Sequence, residues 1–319
     1  MKIKNNKILI TGGTGFIGSH LAEELLKKDY KIIACDIRIH PLSYFANCPT
    51  LKKVKYASCD IRNFQRLSSL IKKIKPDFVY HLAAVSEVEN AYDNPRIMFE
   101  TNVQGTVNVL EATRSLQNIK GVVIASSDKA YGKQGKRKYR EIDPLLSDHP
   151  YELSKTAADM ISLGYYKTYG LPVTVTRFGN VYGEGDFHFS RLIPDILRSI
   201  IQNKTLKIRS DGKHVRDYIY IKDVVSGYIK LMENIDKTKG QAFNFGSKDT
   251  LSVIKVIKIV ETKLNRKIKY KIINNANNEI PYQTLNFNKV KKICGWQPQY
   301  TMTSQIKKIY EWYKLVIPG

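Results

Sequence analysis

The sequence predicts an α/β protein: a doubly wound parallel sheet with a smaller, mixed α/β C-terminal lobe. Two observations carry this. Over the first part of the chain, short apolar runs alternate with amphipathic stretches, which is the pattern of βαβ units. The first of those runs also leads through a glycine cluster straight into a helical pattern, as a ligand-binding βα turn does.

The expected strands are Lys7–Thr11, Lys31–Asp36, Phe78–Leu82, Gly121–Ser126 and Val173–Arg177. Each is a short run rich in Ile, Val or aromatic residues. Between them, Phe16–Lys28, Gln65–Ile74, Arg96–Leu116 and Tyr151–Tyr169 repeat apolar residues at helical spacing. After Asn180 the rhythm loosens. Helices are expected at Ser190–Gln202, Lys222–Met232, Leu251–Lys263 and Met302–Leu315, a strand at Tyr218–Ile221 and a loop at Asn274–Asn278. The natural division places one domain at 1–180 and the lobe at 181–319, with the chain crossing back to the sheet.

Composition narrows the class. At 319 residues the chain can bury a sizeable core. No stretch approaches the ~18 apolar residues of a membrane span. The basic start, Met1–Lys7, runs into a strand and so does not read as a signal peptide. Lys and Arg number 52 against 29 Asp and Glu, a formal charge of +23. Pairs such as Lys27-Lys28, Lys72-Lys73 and Lys291-Lys292 spread that charge along the whole chain. It therefore reads as solvated helix faces, not as a nucleic-acid arm. The four cysteines lack paired spacing and the six histidines are scattered. Neither a disulfide framework nor a metal site is expected, and the reading is a cytoplasmic protein in a reducing compartment.

Thr11-Gly12-Gly13-Thr14-Gly15-Phe16-Ile17-Gly18 places glycines at 12, 15 and 18 between the first strand and its helix. Glycine lets the backbone turn tightly and approach a pyrophosphate, and the helix N-terminus offers free N–H groups to the anion. Asp36 closes the next strand, where an acid accepts both ribose hydroxyls of an adenosine. An acid there repels a 2′-phosphate, so the expected cofactor is NAD, with Arg38 nearby as the one feature against it.

Tyr151-Glu-Leu-Ser-Lys155 follows Pro150, a residue suited to the first helical turn. The spacing stacks Tyr151 and Lys155 on one helix face. A phenol with an ordinary pKa of ~10 is a weak base at neutrality. A nearby ammonium and an oxidised pyridinium ring would favour its phenolate, which takes the proton of an alcohol as hydride leaves the same carbon. Gly121–Ser126 ends in Ser127 and Asp128, and the C-terminal ends of parallel strands line the ligand crevice. Ser127 is thus placed to steer the substrate hydroxyl toward Tyr151.

Taken together, these segments resemble the extended short-chain dehydrogenase/reductase family, the nucleotide-sugar epimerases and dehydratases. Asp60-Ile61, His81-Leu82-Ala83-Ala84, Asn102, Arg177-Phe-Gly-Asn180-Val-Tyr-Gly183, Arg216-Asp-Tyr-Ile-Tyr220 and Gly295-Trp296-x-Pro298 extend the likeness over the whole chain. The resemblance implies a Rossmann-like domain at 1–180 holding NAD and the catalytic Ser, Tyr and Lys. It implies cofactor contacts from Gly12, Thr14, Gly15, Phe16, Ile17, Gly18, Asp36, Ile37, Asp60, Ile61, Leu82, Ala83, Ala84, Asn102, Tyr151 and Lys155. It also implies nucleotide-diphosphate-sugar binding by Ser86, Asn180, Arg191 and Arg216, and a homodimer, or a tetramer built from it, through helices 96–116 and 151–169.

Among subfamilies the likeness is to CDP-glucose 4,6-dehydratase, through Ser127-Asp128-Lys129, Gly183-Glu-Gly-Asp186, Arg191–Leu197 and Ala242-Phe-Asn-Phe-Gly246. That implies oxidation at C4, removal of the C5 proton while Asp128 protonates the departing 6-hydroxyl, and hydride return to C6. Lys129 stands where many 4,6-dehydratases carry Glu, which leaves the C5 base open. Val85-Ser86-Glu87-Val88 and the epimerase-like Arg216–Tyr220 depart from the pattern. A nucleotide-sugar 4-epimerase, needing only Ser127, Tyr151 and Lys155, is the alternative. A non-catalytic dinucleotide-binding sensor is the third reading, and the intact catalytic set argues against it.

Overall fold

Ile8 and Ile10 pack into one hydrophobic cluster and Leu9 into another, because successive side chains of a strand point to opposite faces. A strand apolar on both faces has to be covered on both, and that requirement sets the architecture. In the computed structural model the described residues are 6–86, 94–275 and 279–318. Residues 1–5 of the basic start, Glu87, Val88 and residues 276–278 of the Asn-rich stretch lie outside them.

The strands of the first part are β1 Lys7–Thr11, β2 Lys31–Asp36, β3 Lys55–Ser58, β4 Phe78–His81, β5 Gly121–Ala125, β6 Lys138–Tyr139 and β7 Val173–Phe178. Those of the second are β8 Asn180–Tyr182, β9 Leu206–Ile208, β10 Val215–Tyr220, β11 Gln241–Phe245, β12 Asp249–Ser252, β13 Tyr270–Ile272 and β14 Tyr282–Leu285. Seven of these form one parallel sheet in the order β3-β2-β1-β4-β5-β7-β11. Strand order reverses between β1 and β4, so a crevice opens at their C-terminal ends. On one face Leu21, Leu25, Val224 and Tyr228 cover the sheet from helices Phe16–Leu26 and Ile221–Glu233. On the other, Leu67, Ile71, Val109 and Leu110 do so from Phe64–Ile74 and Gly105–Arg114.

The second sheet, β12-β10-β14-β6 with β8 also paired to β10, faces the crevice. The boundary near residue 180 is crossed in both directions. β6 comes from the first part and joins the second sheet, while β11 comes from the lobe and extends the first. Trp296 donates to the Asp223 carbonyl at 3.1 Å, and the Asp223 carboxylate accepts from Gln299 N at 2.9 Å, which docks the C-terminal segment on Ile221–Glu233.

Several elements were not expected, among them β6, β11 and β14, and two further departures have a clear physical reason. The polar edge strand β3 went unread, because Lys-Tyr-Ala-Ser has no apolar run and needs none at the rim of the sheet. The helix expected unbroken over Arg96–Leu116 contains a π turn at Glu100–Gln104 between Pro95–Phe99 and Gly105–Arg114. Such a turn inserts an extra residue and re-aims the side chains around it.

Candidate active site

The glycine loop is shaped by two close approaches. Gly12 has φ of +69°, and a Cβ on it would lie 2.7 Å from the Ala83 amide nitrogen. A Cβ on Gly18 would collide with the Gly12 carbonyl. Only bare backbone lets the β1 turn press against the loop after β4. Helix Phe16–Leu26 starts there at Gly15 with no side chain capping it, so its positive end stays available to an anion.

Across the turn, Asp36 accepts the Thr14 hydroxyl at 2.7 Å and the Ile37 amide at 2.9 Å. Its Oδ2 also accepts the Thr14 amide at 3.2 Å, so the carboxylate is fixed in place, and of its about four acceptor positions one stays open for a ribose hydroxyl. Asp60 is clamped by Arg62 at 2.6 Å, and the hydrogen bond from Arg62 holds its pKa below the usual range. Ile61 is buried against Gly105, and its carbonyl takes the Asn108 amide at 2.9 Å. Leu82 continues β4 with its amide 3.0 Å from the Thr11 carbonyl, and Ala83 and Ala84 follow it. Asn102 receives the Val85 amide at 2.8 Å and donates to Ser154 at 2.9 Å, tying the loop after Ala84 to helix Pro150–Tyr169. The cradle fits a dinucleotide: bare backbone and a helix end for the pyrophosphate, and a fixed carboxylate for the ribose.

Pro150 and Tyr151 open the helix Pro150–Tyr169, whose cap is His149. Tyr151 and Lys155 are both buried, at 9% and 6% exposure. The ammonium expected to act on the phenol, that of Lys155, is not among the groups that shift it. Burial pushes Tyr151 above the ordinary phenol range, with the Arg191 charge and a hydrogen bond shared with Ser127 pulling it down. Burial also lowers Lys155 to about 8, and its ammonium donates to the Ala125 carbonyl at 3.1 Å. The physical reason is common to both: a low-dielectric pocket disfavours phenolate and ammonium alike. Tyr151 therefore holds its proton until further positive charge arrives beside it.

At the end of β5, Ser127 donates to Asp128 Oδ1 at 3.1 Å. Asp128 Oδ2 is buried without a partner, and burial raises the Asp128 pKa. Lys129 is lowered to about 8 by burial and by the Arg216 charge. Two residues missed by sequence reasoning join them. Glu152, the neighbour of Tyr151, is buried and raised to about 7 by burial, against the opposing pull of Lys129. Gln283, on β14, donates to the Asp128 carbonyl at 2.8 Å. Glu152 had a signal, its place in the first turn beside Tyr151, whereas Gln283 comes from a distant strand and had none.

The expected substrate residues fall into two groups. Arg191 donates to Ser86 at 3.2 Å and to the fully buried Asp186 at 3.1 Å, bringing two of them together. Arg216 is buried, donates to the Val215 carbonyl at 2.9 Å and lies 3.7 Å from Glu279. Asn180 lies on β8, the strand paired to β10 of Arg216. His81 bridges Thr11 at 2.7 Å and Thr106 at 2.9 Å, and burial drops it to about 3, so it is neutral. Among the described residues no cluster of His, Cys, Asp or Glu could hold a metal, and no helix is long and apolar enough to cross a membrane.

Known proteins share this arrangement. The family described as NAD dependent epimerase/dehydratase matches residues 8–246. The CDP-glucose 4,6-dehydratase of Salmonella typhimurium is 31% identical, over 99% of this chain and 92% of its own. The CDP-paratose 2-epimerase of Salmonella typhi is 30% identical, over 96% of this chain and 98% of its own. The UDP-glucuronic acid 4-epimerase of Bacillus cereus, solved with UDP-glucuronic acid and NAD, superposes with a TM-score of 0.90 at 25% identity, covering 98% of this chain and 100% of that one. With a Rossmann-like sheet, a cradle that suits NAD and relatives aligned from end to end, the chain belongs to the NAD-dependent epimerase/dehydratase family of nucleotide-sugar enzymes.

Proposed function

We propose that this chain is a nucleotide-sugar 4,6-dehydratase of the CDP-glucose type. The observation that supports it is Asp128, a fully buried carboxyl with an unpartnered oxygen, set between Ser127 and a desolvated Lys129. A 4-epimerase has no task for either group. A proton-donating acid and a proton-accepting amine are what elimination of water requires.

In this reading Asp36, the glycine loop and the helix Phe16–Leu26 hold NAD, which takes up hydride from C4 of the sugar and gives it back. Ser127 orients the 4-hydroxyl and Tyr151 removes its proton. Arg191 supplies positive charge toward the phenol, and Lys155 stands one helical turn from it with its ammonium on the Ala125 carbonyl. The resulting 4-ketone acidifies C5–H. Neutral Lys129 takes that proton while Asp128 gives its own to the 6-hydroxyl, so the C6–O bond breaks and water leaves a C5=C6 double bond. Hydride returned to C6, with a proton to C5 from Lys129, completes a 4-keto-6-deoxy sugar. Arg216 and Asn180 face the diphosphate; a planar guanidinium suits two phosphoryl oxygens.

The pH dependence follows from Lys129. Only its neutral form accepts a proton, so water loss is expected to rise as pH climbs through about 8. Lys129→Gln should remove that rise, and an unchanged profile in this variant would reject Lys129 as the base. A homodimer is part of the same proposal. Leu153 and Met160 on helix Pro150–Tyr169, with Ile97 and Phe99 on Pro95–Phe99, are exposed apolar side chains. Met160→Glu is expected to yield a monomer by light scattering, and a wild-type chain that is itself monomeric would contradict the dimer.

The activity is tested by incubating the chain and NAD with CDP-, UDP-, GDP- and dTDP-hexoses and reading products by mass spectrometry. A product lighter by one water supports the dehydratase. An isomer of unchanged mass would replace it with the 4-epimerase.

A further inference from the structure

Gln283 is fully buried on β14, where its register partner is Arg216. Its side-chain nitrogen donates to the Asp128 carbonyl at 2.8 Å. A carbonyl oxygen only accepts, so this bond fixes which end of the amide faces the turn. The other end, Oε1, is buried with no donor, and so is Asp128 Oδ2. Two orphan acceptors on residues already joined by a hydrogen bond are costly, since each buried polar group loses water without compensation. A protonated Asp128 carboxyl is a donor where the carboxylate can only accept, and Gln283 Oε1 is an acceptor still open on the residue that holds the Asp128 backbone.

We propose that Gln283 is a positioning residue of the active site: it pins the Ser127–Lys129 turn from β14 and presents Oε1 as the acceptor that keeps Asp128 in its protonated, proton-donating form. The inference rests on the dehydratase reading, and it explains why a strand of the C-terminal lobe reaches beneath the end of β5. The burial that raises the Asp128 pKa acts in the same direction. Lys129 and Arg216 oppose it, and Glu152, Glu279 and Tyr139 also face this region.

The test is Gln283→Met, which keeps the shape and removes both the donor and the acceptor. Water loss that rises as Lys129 loses its proton falls again where Asp128 ionises; in the variant Asp128 should ionise at lower pH, so that alkaline limb moves to lower pH. The rate at neutral pH should fall about 10-fold or more, within the range acid catalysis supplies, while C4 oxidation of the substrate persists. In an Asp128→Asn background, Gln283→Met should add no further loss of elimination. This cycle also separates the role from general damage to the fold, which would add in both backgrounds. An unmoved alkaline limb in a variant that still dehydrates overturns the role of Gln283 and leaves the dehydratase reading intact. A wild-type chain that epimerises without losing water removes both.

Discussion

Tyr151→Phe is expected to cut turnover by ~10²–10⁴-fold, the range that positioned acid–base catalysis supplies, with NAD binding unchanged. The hydroxyl is the only atom removed, and the ring keeps its place in a small cluster with Met98 and Val85. Asp36, Thr14 and the glycine loop, which hold the cofactor in this account, are untouched. The loss should fall on the first hydride transfer, the step in which Tyr151 takes the 4-hydroxyl proton in this account. Stopped-flow absorbance under single-turnover conditions, with NAD affinity by calorimetry, checks both halves. Activity near that of the wild type would refute the assignment of Tyr151.

Asp128→Asn is expected to separate oxidation from elimination. Asparagine has the same shape but cannot give a proton to a leaving hydroxyl, so water loss should fall by ~10²–10⁴-fold. The 4-ketone should still form, because Ser127, Tyr151 and Lys155 are intact. Stability should not suffer: the carboxyl is 2% exposed with one orphan oxygen, and an amide of the same shape brings no charge into that buried site. Mass spectrometry for lost water and solvent-isotope exchange at C5 report the two events separately. Equal loss of both would place Asp128 in the oxidation step instead.

The sheet, its glycine turn and the helix Pro150–Tyr169 were legible because each rests on a local pattern. Ile8-Leu9-Ile10 followed by Gly12 and Gly18 fixes a strand, a turn and a helix within one short segment, and the close approach of Gly12 to Ala83 has no alternative to glycine. Tyr151 and Lys155 stand on one helix as their spacing predicts, though the spacing drew its meaning from the glycine loop and the Ser127 strand end. What escaped depends on burial and on distant partners. The rise of Tyr151 comes from desolvation, which spacing does not reveal. Glu152 reads in sequence as an ordinary acid at a helix start, and only its burial in the fold, against the pull of Lys129, raises it to about 7. Gln283 reaches Asp128 across 155 positions of chain. β14 and β6 are too short to show a period, and they exist because their backbones pair with each other.

The most direct test of intramolecular hydride movement uses a nucleotide-hexose deuterated at C4, with less NAD than sugar. If Tyr151, Ser127 and Lys155 oxidise C4 and Asp128 then assists elimination, the product is lighter by one water and carries the deuterium on C6. A product that has lost the label to solvent, or that keeps the mass of the starting sugar, would contradict the account.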